Sequence, residues 1–360
     1  MTQERKVHNK LDSPRDTSHW IISGTNTFRL GSRKILSSLH DTPFINFGGN
    51  RQNVEGGMRQ IYEADKGYKL VSRDQSGAEA LIVAYLGKPG QNRQLFEYNI
   101  NPHAFLALHL FTEQFKKKFD EKYINVAINT KIPELGNLPF WKDLISLIKS
   151  SDNWPPRERY YFMSKKIRHA ASYGMAANKG RMAILEESGG TIVLSKQEFE
   201  YYLMFFHKTF PEIHQWQSKT YEQVKKHKEL RNLFGHPFKF TGYIDDDDIR
   251  DAYAFVPQST VATATNIAIT ETQEIIEKEK LDYHILNNGH DSILAQAPDN
   301  DKDIKYCSLL LKNGLEREYI SPIDKCKFRM RSSLKVGYNW ANYDPDNPEI
   351  NPNGLKEIND

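Results

Sequence analysis

Leu70-Val71-Ser72-Arg73-Asp74-Gln75-Ser76-Gly77-Ala78-Glu79-Ala80-Leu81-Ile82-Val83-Ala84-Tyr85-Leu86 joins two kinds of apolar pattern around the acid Asp74. The apolar pair Leu70-Val71 reads as the buried end of a strand. A Ser-Gly turn then opens into an apolar run of helical length. One acidic residue, Asp74, stands at the junction. A carboxylate at a strand end, with backbone carbonyls beside it, suits a hard divalent cation. Taken alone, an Asp before a turn is more often a helix cap than a metal ligand. The choice depends on what else the chain carries, and in what order.

Three other stretches matter. The first is Gly24-Thr25-Asn26-Thr27-Phe28-Arg29-Leu30-Gly31-Ser32, followed by Asn50-Arg51-Gln52-Asn53 and Met58-Arg59. It is rich in Gly, Asn, Ser and Arg with weak periodicity, which reads as loop-rich surface or as backbone amides, hydroxyls and guanidinium groups that grip phosphates. The second runs from Lys165 to Gly174. Lys165, His169 and Tyr173 are four apart and share one helix face, although a lysine run on a helix is usually just a solvated face. The third, Gly289-His290-Asp291-Ser292, lies at the turn of a β-hairpin expected over Tyr283 to Ala295.

Bulk properties set wide limits. The 360 residues are enough for one large domain or two to three subdomains. The net charge of +3 neither demands nor excludes a nucleic-acid partner, because a local basic stripe would vanish in the total. Charged residues make up 26%, no apolar run reaches 18 residues and the N-terminus lacks an apolar signal core, so a soluble, cytoplasmic protein without a membrane partner is expected. Cys307 and Cys326 have no metal-binding spacing and read as free thiols.

Further elements follow from local signals. Asn101-Pro102-His103 begins an amphipathic helix over 104–119. Residues 120–150 read as a connector, and a helix is expected over about 157–176. Ser195-Lys196-Gln197-Glu198 is a capping box opening a helix through His207. Pro211 opens another to about Leu230. The acids Asp245 to Asp248 read as an exposed loop, Gln258 as the start of a long helix to about Lys280, and residues 343–360 as a loose tail.

The four motifs, in this order and spacing, resemble the polymerase module of family A DNA polymerases over roughly residues 20–340. The resemblance implies an α+β fold: a palm with an antiparallel sheet and helices, plus mainly helical fingers. Residues 1–20 would be a flexible N-terminus, 21–150 the first part of the palm, 151–233 the fingers, 234–342 the second part of the palm and 343–360 the tail. It implies template-dependent DNA synthesis from dNTPs on primer-template DNA, with two Mg²⁺ ions, for which Mn²⁺ is a substitute. Asp74, Asp291 and Lys165 would be catalytic. Asp74, Asp291 and the backbone carbonyl of Gln75 would hold metal. Glu79, Lys165, His169, Tyr173 and His103 would face the nucleotide. Thr25, Arg29, Gln52, Asn53, Arg59, Arg250, Gln258 and His290 would touch DNA.

The sequence departs from the family in places. Tyr161 stands where the family has a phosphate-contacting Arg, with Arg157, Arg159, Lys166 and Arg168 nearby to compensate. His169 replaces a Phe or Tyr, and Ser292 replaces a frequent Glu. The motifs begin close to the N-terminus, without a thumb or exonuclease segment before them. A minimal enzyme, a fragment, and the C-terminal half of a split polymerase working with a separate thumb/exonuclease polypeptide all stay open. So do two rival readings, a single-subunit RNA polymerase-like enzyme and a non-catalytic DNA-binding subunit.

Overall fold

A computed structural model describes residues 19–21, 25, 27–33, 35–37, 45–47, 52, 54, 56–75 and 77–358. The chain divides into two compact units. One comprises 1–74, 265–314 and 333–360, the other 75–264 and 315–332.

The first unit is built on a five-stranded sheet. Its strands are β1 (Tyr68–Gln75), β2 (His284–Asn288), β3 (Ser292–Pro298), β4 (Ser332–Gly337) and β5 (Lys356–Ile358), arranged in the order β5-β4-β1-β3-β2. β1 pairs antiparallel with β3 over seven positions, from Tyr68 opposite Pro298 to Asp74 opposite Ser292. β2 and β3 form the expected hairpin, with an irregularity between Ile285 and Asn287. Leu70, Leu294 and Leu355 bury together on the sheet, with Ala64 and Trp340 against them. Leu355 shows that the tail is not loose: it docks, and β5 pairs Leu334 to Val336 of β4. Its polar composition hid this, because one buried Leu and a ladder supply the anchor.

Arg73 is fully buried in β1, and its guanidinium donates to the Ser308 carbonyl at 3.1 Å and the Ser308 hydroxyl at 2.8 Å. Ser308 lies on α8 (Asp301–Leu315). A Cβ on Gly314 of that helix would come within 2.8 Å of Ala268 Cβ, so a small residue is needed for the helices to approach this closely. Upstream, the weakly periodic segment contains two short antiparallel ladders, His19–Ile21 with Gly31–Arg33 and Ile35–Ser37 with Ile45–Phe47.

The second unit is mainly helical. α1 (Ala78–Leu86) buries seven of its nine residues, consistent with an apolar run. α2 (Gln91–Glu97) follows, then α3 (Pro102–Leu110), capped by Asn101, whose side chain accepts from the amides of His103 and Ala104 at 3.0 and 2.9 Å. α3 stops earlier than expected, and five successive residues, Ala104 to Leu108, are buried, so it is buried all round rather than amphipathic. The supposed connector contains helices Glu121–Asn129, Ile132–Leu135 and Trp141–Ser150. Trp141, Leu144 and Ile148 are the buried residues of the last, at helical spacing.

α4 (Tyr160–Ser172) carries the Lys165 motif. α5 (Lys196–Thr209) begins with both bonds of the Ser195–Glu198 capping box in place, and α6 runs Pro211–His227. The long helix α7 spans Asp246–Glu279, starting twelve residues before Gln258 and continuing through Pro257. Asp246 to Asp248 therefore form the first turn of a helix rather than a loop, while Asp245 to Asp247 are exposed as expected. The Asp245 carboxylate accepts from the amides of Asp247 and Asp248, and Asp248 accepts from the Asp245 amide. The acids cap the helix N-terminus, where its orphan donors and dipole favour negative charge.

Candidate functional site

In the sheet unit, the β1–β3 register sets Asp74 beside Ser292, so Asp74 and Asp291 lie at the same end of two neighbouring strands. Alternating side-chain direction in β1 buries Arg73 and Gln75 and leaves Asp74 half-buried. Burial raises the Asp74 carboxyl above the usual carboxylate range, partly offset by the charge of Lys335 on β4. A divalent cation would relieve that penalty. The donor set fits such an ion: two hard carboxylates from adjacent strands. No cluster of three or more His, Cys, Asp and Glu among the described residues could hold a metal. Phosphate and water oxygens would complete the shell, as Mg²⁺ commonly allows.

Of the residues expected to touch DNA, Gln52 lies at the turn before Asp291, while Thr25, Arg29 and Arg59 make local contacts. Gln52 donates to the Asn288 carbonyl at 3.1 Å and lies 3.4 Å from His290 Nδ1. Thr25 Oγ1 accepts from the Arg29 amide at 3.1 Å, closing a local turn. The Arg59 guanidinium donates to the Val54 carbonyl at 3.1 Å and stacks 4.7 Å over Trp340. Asn53 lies outside the described residues.

In the helical unit, α4 turns one face inward and another outward. Ile167, Arg168, Ala170 and Ala171 are buried, while Lys165 is half-buried and His169 exposed. The His169 and Tyr173 rings meet edge to face at 4.8 Å. The Tyr173 hydroxyl donates to Glu79 Oε2 at 2.6 Å, bringing together two side chains assigned to the nucleotide. Lys165 Nζ pairs with Asp152 at 3.0 Å and lies 4.1 Å over the Tyr161 ring. Tyr161 itself is buried and its hydroxyl accepts from Asn101 at 3.1 Å.

Of the cations proposed to replace an Arg at 161, Arg168 is unsuited. It is 2% exposed, donates to Asn92 Oδ1, and lies over the Phe210 ring at 5.1 Å. Burial lowers its guanidinium to about 9, partly offset by the Glu212 charge. Lys166 pairs with Glu187, and Arg159 donates to the Asp152 carbonyl at 2.9 Å. Arg157 stays exposed in the turn Pro156–Glu158.

His103 projects into this region rather than standing apart as a surface group. Burial, with the charges of Arg168, Lys165 and His169 adding to it, lowers its imidazole to about 3, so it is neutral at ordinary pH. The Gln75 side chain donates to the Leu315 carbonyl at 2.9 Å. Arg250 pairs with Asp247 on the same helix, and Gln258 sits half-buried on α7.

No family model matches the chain. Two curated relatives do. DNA polymerase I of Treponema pallidum (strain Nichols) is 22% identical over 286 residues, covering 78% of this chain and 23% of the relative. DNA polymerase I of Aquifex aeolicus (strain VF5) is 24% identical over 250 residues, covering 69% of this chain and 36% of the relative. Among solved structures, the POL domain of Pol1 from M. smegmatis, in complex with DNA primer-template and dNTP, superimposes with a TM-score of 0.62. That match covers 90% of this chain and 48% of that one, at 16% identity.

This chain has the fold of a family A polymerase catalytic domain.

It spans about half the length of the matched structure, and about a quarter to a third of the curated relatives. Sequence reasoning missed Asn266, Asn288 and Asn92, whose amides join distant segments. An Asn gives no periodic signal, so only Asn288, directly before the Gly-His-Asp turn, was open to suspicion. Among the described residues, no helix is long and apolar enough to cross a membrane.

Proposed function

We propose that this chain is the catalytic module of a template-dependent DNA polymerase, with residues 21–150 and 234–342 as palm and 151–233 as fingers. The primer 3′-oxygen attacks the α-phosphorus of a dNTP. The new phosphodiester bond forms as the bond to pyrophosphate breaks. Asp74 and Asp291 would hold two Mg²⁺ ions, with the Gln75 carbonyl as a further donor. Bound there, the metal supplies Lewis-acid stabilisation of the attacking and leaving oxygens.

The chain's own side chains do the rest. Lys165 supplies a point charge for the triphosphate and a proton for the leaving pyrophosphate, after exchanging its Asp152 partner for phosphate. Tyr173, held by Glu79, presents its ring to the nascent base pair, and Glu79 beneath the sugar disfavours a 2′-hydroxyl. Thr25, Arg29, Gln52, Asn53, Arg59, Arg250, Gln258 and His290 contact primer or template. His103 packs and stays neutral.

The observation that supports this reading best is the β1–β3 register, which puts Asp74 and Asp291 at one end of paired strands. The test is primer extension by the purified chain with Mg²⁺ and either dNTPs or NTPs, beside Asp291→Ala. Extension with dNTPs that disappears in the variant is the expected result. Preference for NTPs would mark an RNA polymerase-like enzyme. DNA binding without extension would mark a non-catalytic subunit.

A further inference from the structure

Between β2 and β3 the chain turns through Gly289, His290 and Asp291. His290 has φ +77°, a left-handed conformation that a residue with a Cβ adopts at a cost. Asn288, 5% exposed, faces this turn. Its Oδ1 accepts from the His290 amide at 2.9 Å, and its Nδ2 donates to Asn266 Oδ1 at 2.9 Å. Asn266 lies on α7, and its own Nδ2 donates to the Phe28 carbonyl at 3.3 Å.

The polarity of this relay is fully determined. The backbone amide of His290 can only donate, so Asn288 must present its oxygen there. That leaves Asn288 Nδ2 to face Asn266, which must present its oxygen in turn. Asn266 Nδ2 then meets a carbonyl, which can only accept. Neither carboxamide can flip without losing two matched bonds. The left-handed turn before Asp291 is thus tied, by two side chains in series, to α7 and to the segment around Phe28.

We infer that Asn288, oriented by Asn266, is a positioning residue for Asp291: it holds the left-handed turn from which the Asp291 carboxylate is presented. The inference rests on the reading of Asp291 as a metal ligand. It assigns Asn288 no contact with substrate. Gln52, which donates to the Asn288 carbonyl, adds a further bond to the same turn.

The test uses the full chain and four variants: Asn288→Ala, Asn288→Asp, Asn266→Ala, and His284→Ala as a control at the far, exposed end of β2. Three readouts are taken: amide hydrogen exchange at His290, Mn²⁺ affinity by electron paramagnetic resonance, and primer extension. Asn288→Ala should speed exchange at His290 by about tenfold or more. It should weaken Mn²⁺ binding and lower kcat by about 10- to 100-fold, with the KM for dNTP nearly unchanged. Asn288→Asp keeps the acceptor for the His290 amide but loses the donor to Asn266. It should therefore retain most of the protection while kcat falls part of the way. Asn266→Ala should fall between the two, and His284→Ala should match wild type.

Unchanged exchange in Asn288→Ala overturns the inference. So does faster exchange with wild-type Mn²⁺ affinity and kcat, since the relay would then be only structural. If the wild-type chain extends no primer, the polymerase reading fails. The exchange and Mn²⁺ arms still decide whether Asn288 positions Asp291.

Discussion

Asp291 and Tyr173 each stand at the end of a regular element, but opposite means hold them in place. The turn bearing Asp291 is held by directional hydrogen bonds from Asn288 and by ladder register. The helix ending at Tyr173 is held by burial of its other face, with Arg168 at the centre of an aromatic and polar core. Hydrogen bonds fix direction and are lost one at a time. Packing fixes position and fails collectively, because each buried group depends on the volume of its neighbours. The sheet unit should therefore lose activity before stability, and the helical unit stability before or together with activity.

Asp74→Asn should show the largest effect. On the proposed function, primer extension should drop by about a thousandfold or more, as expected when a charged metal ligand is removed. The folded-state pKa of Asp74 lies above its unfolded value, so at neutral pH the ionised carboxylate opposes folding in metal-free protein. The Tm of metal-free Asp74→Asn should therefore hold or rise. A fall in Tm alongside the loss of activity would erase the contrast between the units.

Arg168→Ala comes next and tests the helical unit. It empties a site 2% exposed and leaves Asn92 Oδ1 without its donor, costing about 3 kcal/mol in urea unfolding. Two guanidinium nitrogens, Nε and Nη1, find no hydrogen-bond partner among the described residues, so the charge is held at a cost. Arg168→Met should accordingly lose much less stability than Arg168→Ala. Equal losses would mean that the charge, not the packing, holds α4.

A smaller effect is expected at Gly289. A Cβ there would come 2.1 Å from Ser292 Oγ. Gly289→Ala should cost about 2 kcal/mol through overpacking and lower activity with it. Gly289→Ala with Ser292→Gly should recover most of both, since the conflict is between those two side chains. Failure of the double variant would show that the turn, not the Ser292 side chain, demands glycine.

The most gradual effect is the pH dependence of stability in the helical unit. Burial lowers His103 to about 3 and His207 to about 4, both below the unfolded value of about 6.5. Between those limits the unfolded chain binds protons that the folded chain refuses, so stability falls as pH falls through the window. The slope should be at most about 1.4 kcal/mol per pH unit for each group, less for the more solvated His207. Urea midpoints between pH 7 and 4.5 would show it, and His103→Gln should flatten the curve.

Much of the architecture was readable in advance where local physics decides it. The Leu70–Leu86 pattern yields a strand and a helix, and Ser195–Glu198 caps a helix as its spacing requires. The hairpin before and after Asp291 follows from its turn residues. Other signals were present but weak. Trp141, Leu144 and Ile148 have helical spacing inside an unassuming polar stretch, and the aspartates from 245 contain a capping pattern that looks like a charge run. Arg168 was unreadable in a different way. Beside Lys165, Lys166 and His169 it looks like one more cation on a wet face, and only the phenylalanines of α5 and its end, Phe206 and Phe210, put it indoors.

The chemical inventory was legible from local pattern: two aspartates, a lysine and a Tyr-Gly helix end in a fixed order, each within an element that local periodicity could specify. Tertiary structure alone decided which of these groups share a neighbourhood. Strand register set Asp74 opposite Ser292, and the Tyr173 hydroxyl found Glu79 ninety-four residues away. The physical reason is that periodicity records which face of an element is apolar. The partner of a buried polar atom depends on where several distant segments close around it, and no local pattern encodes that closure.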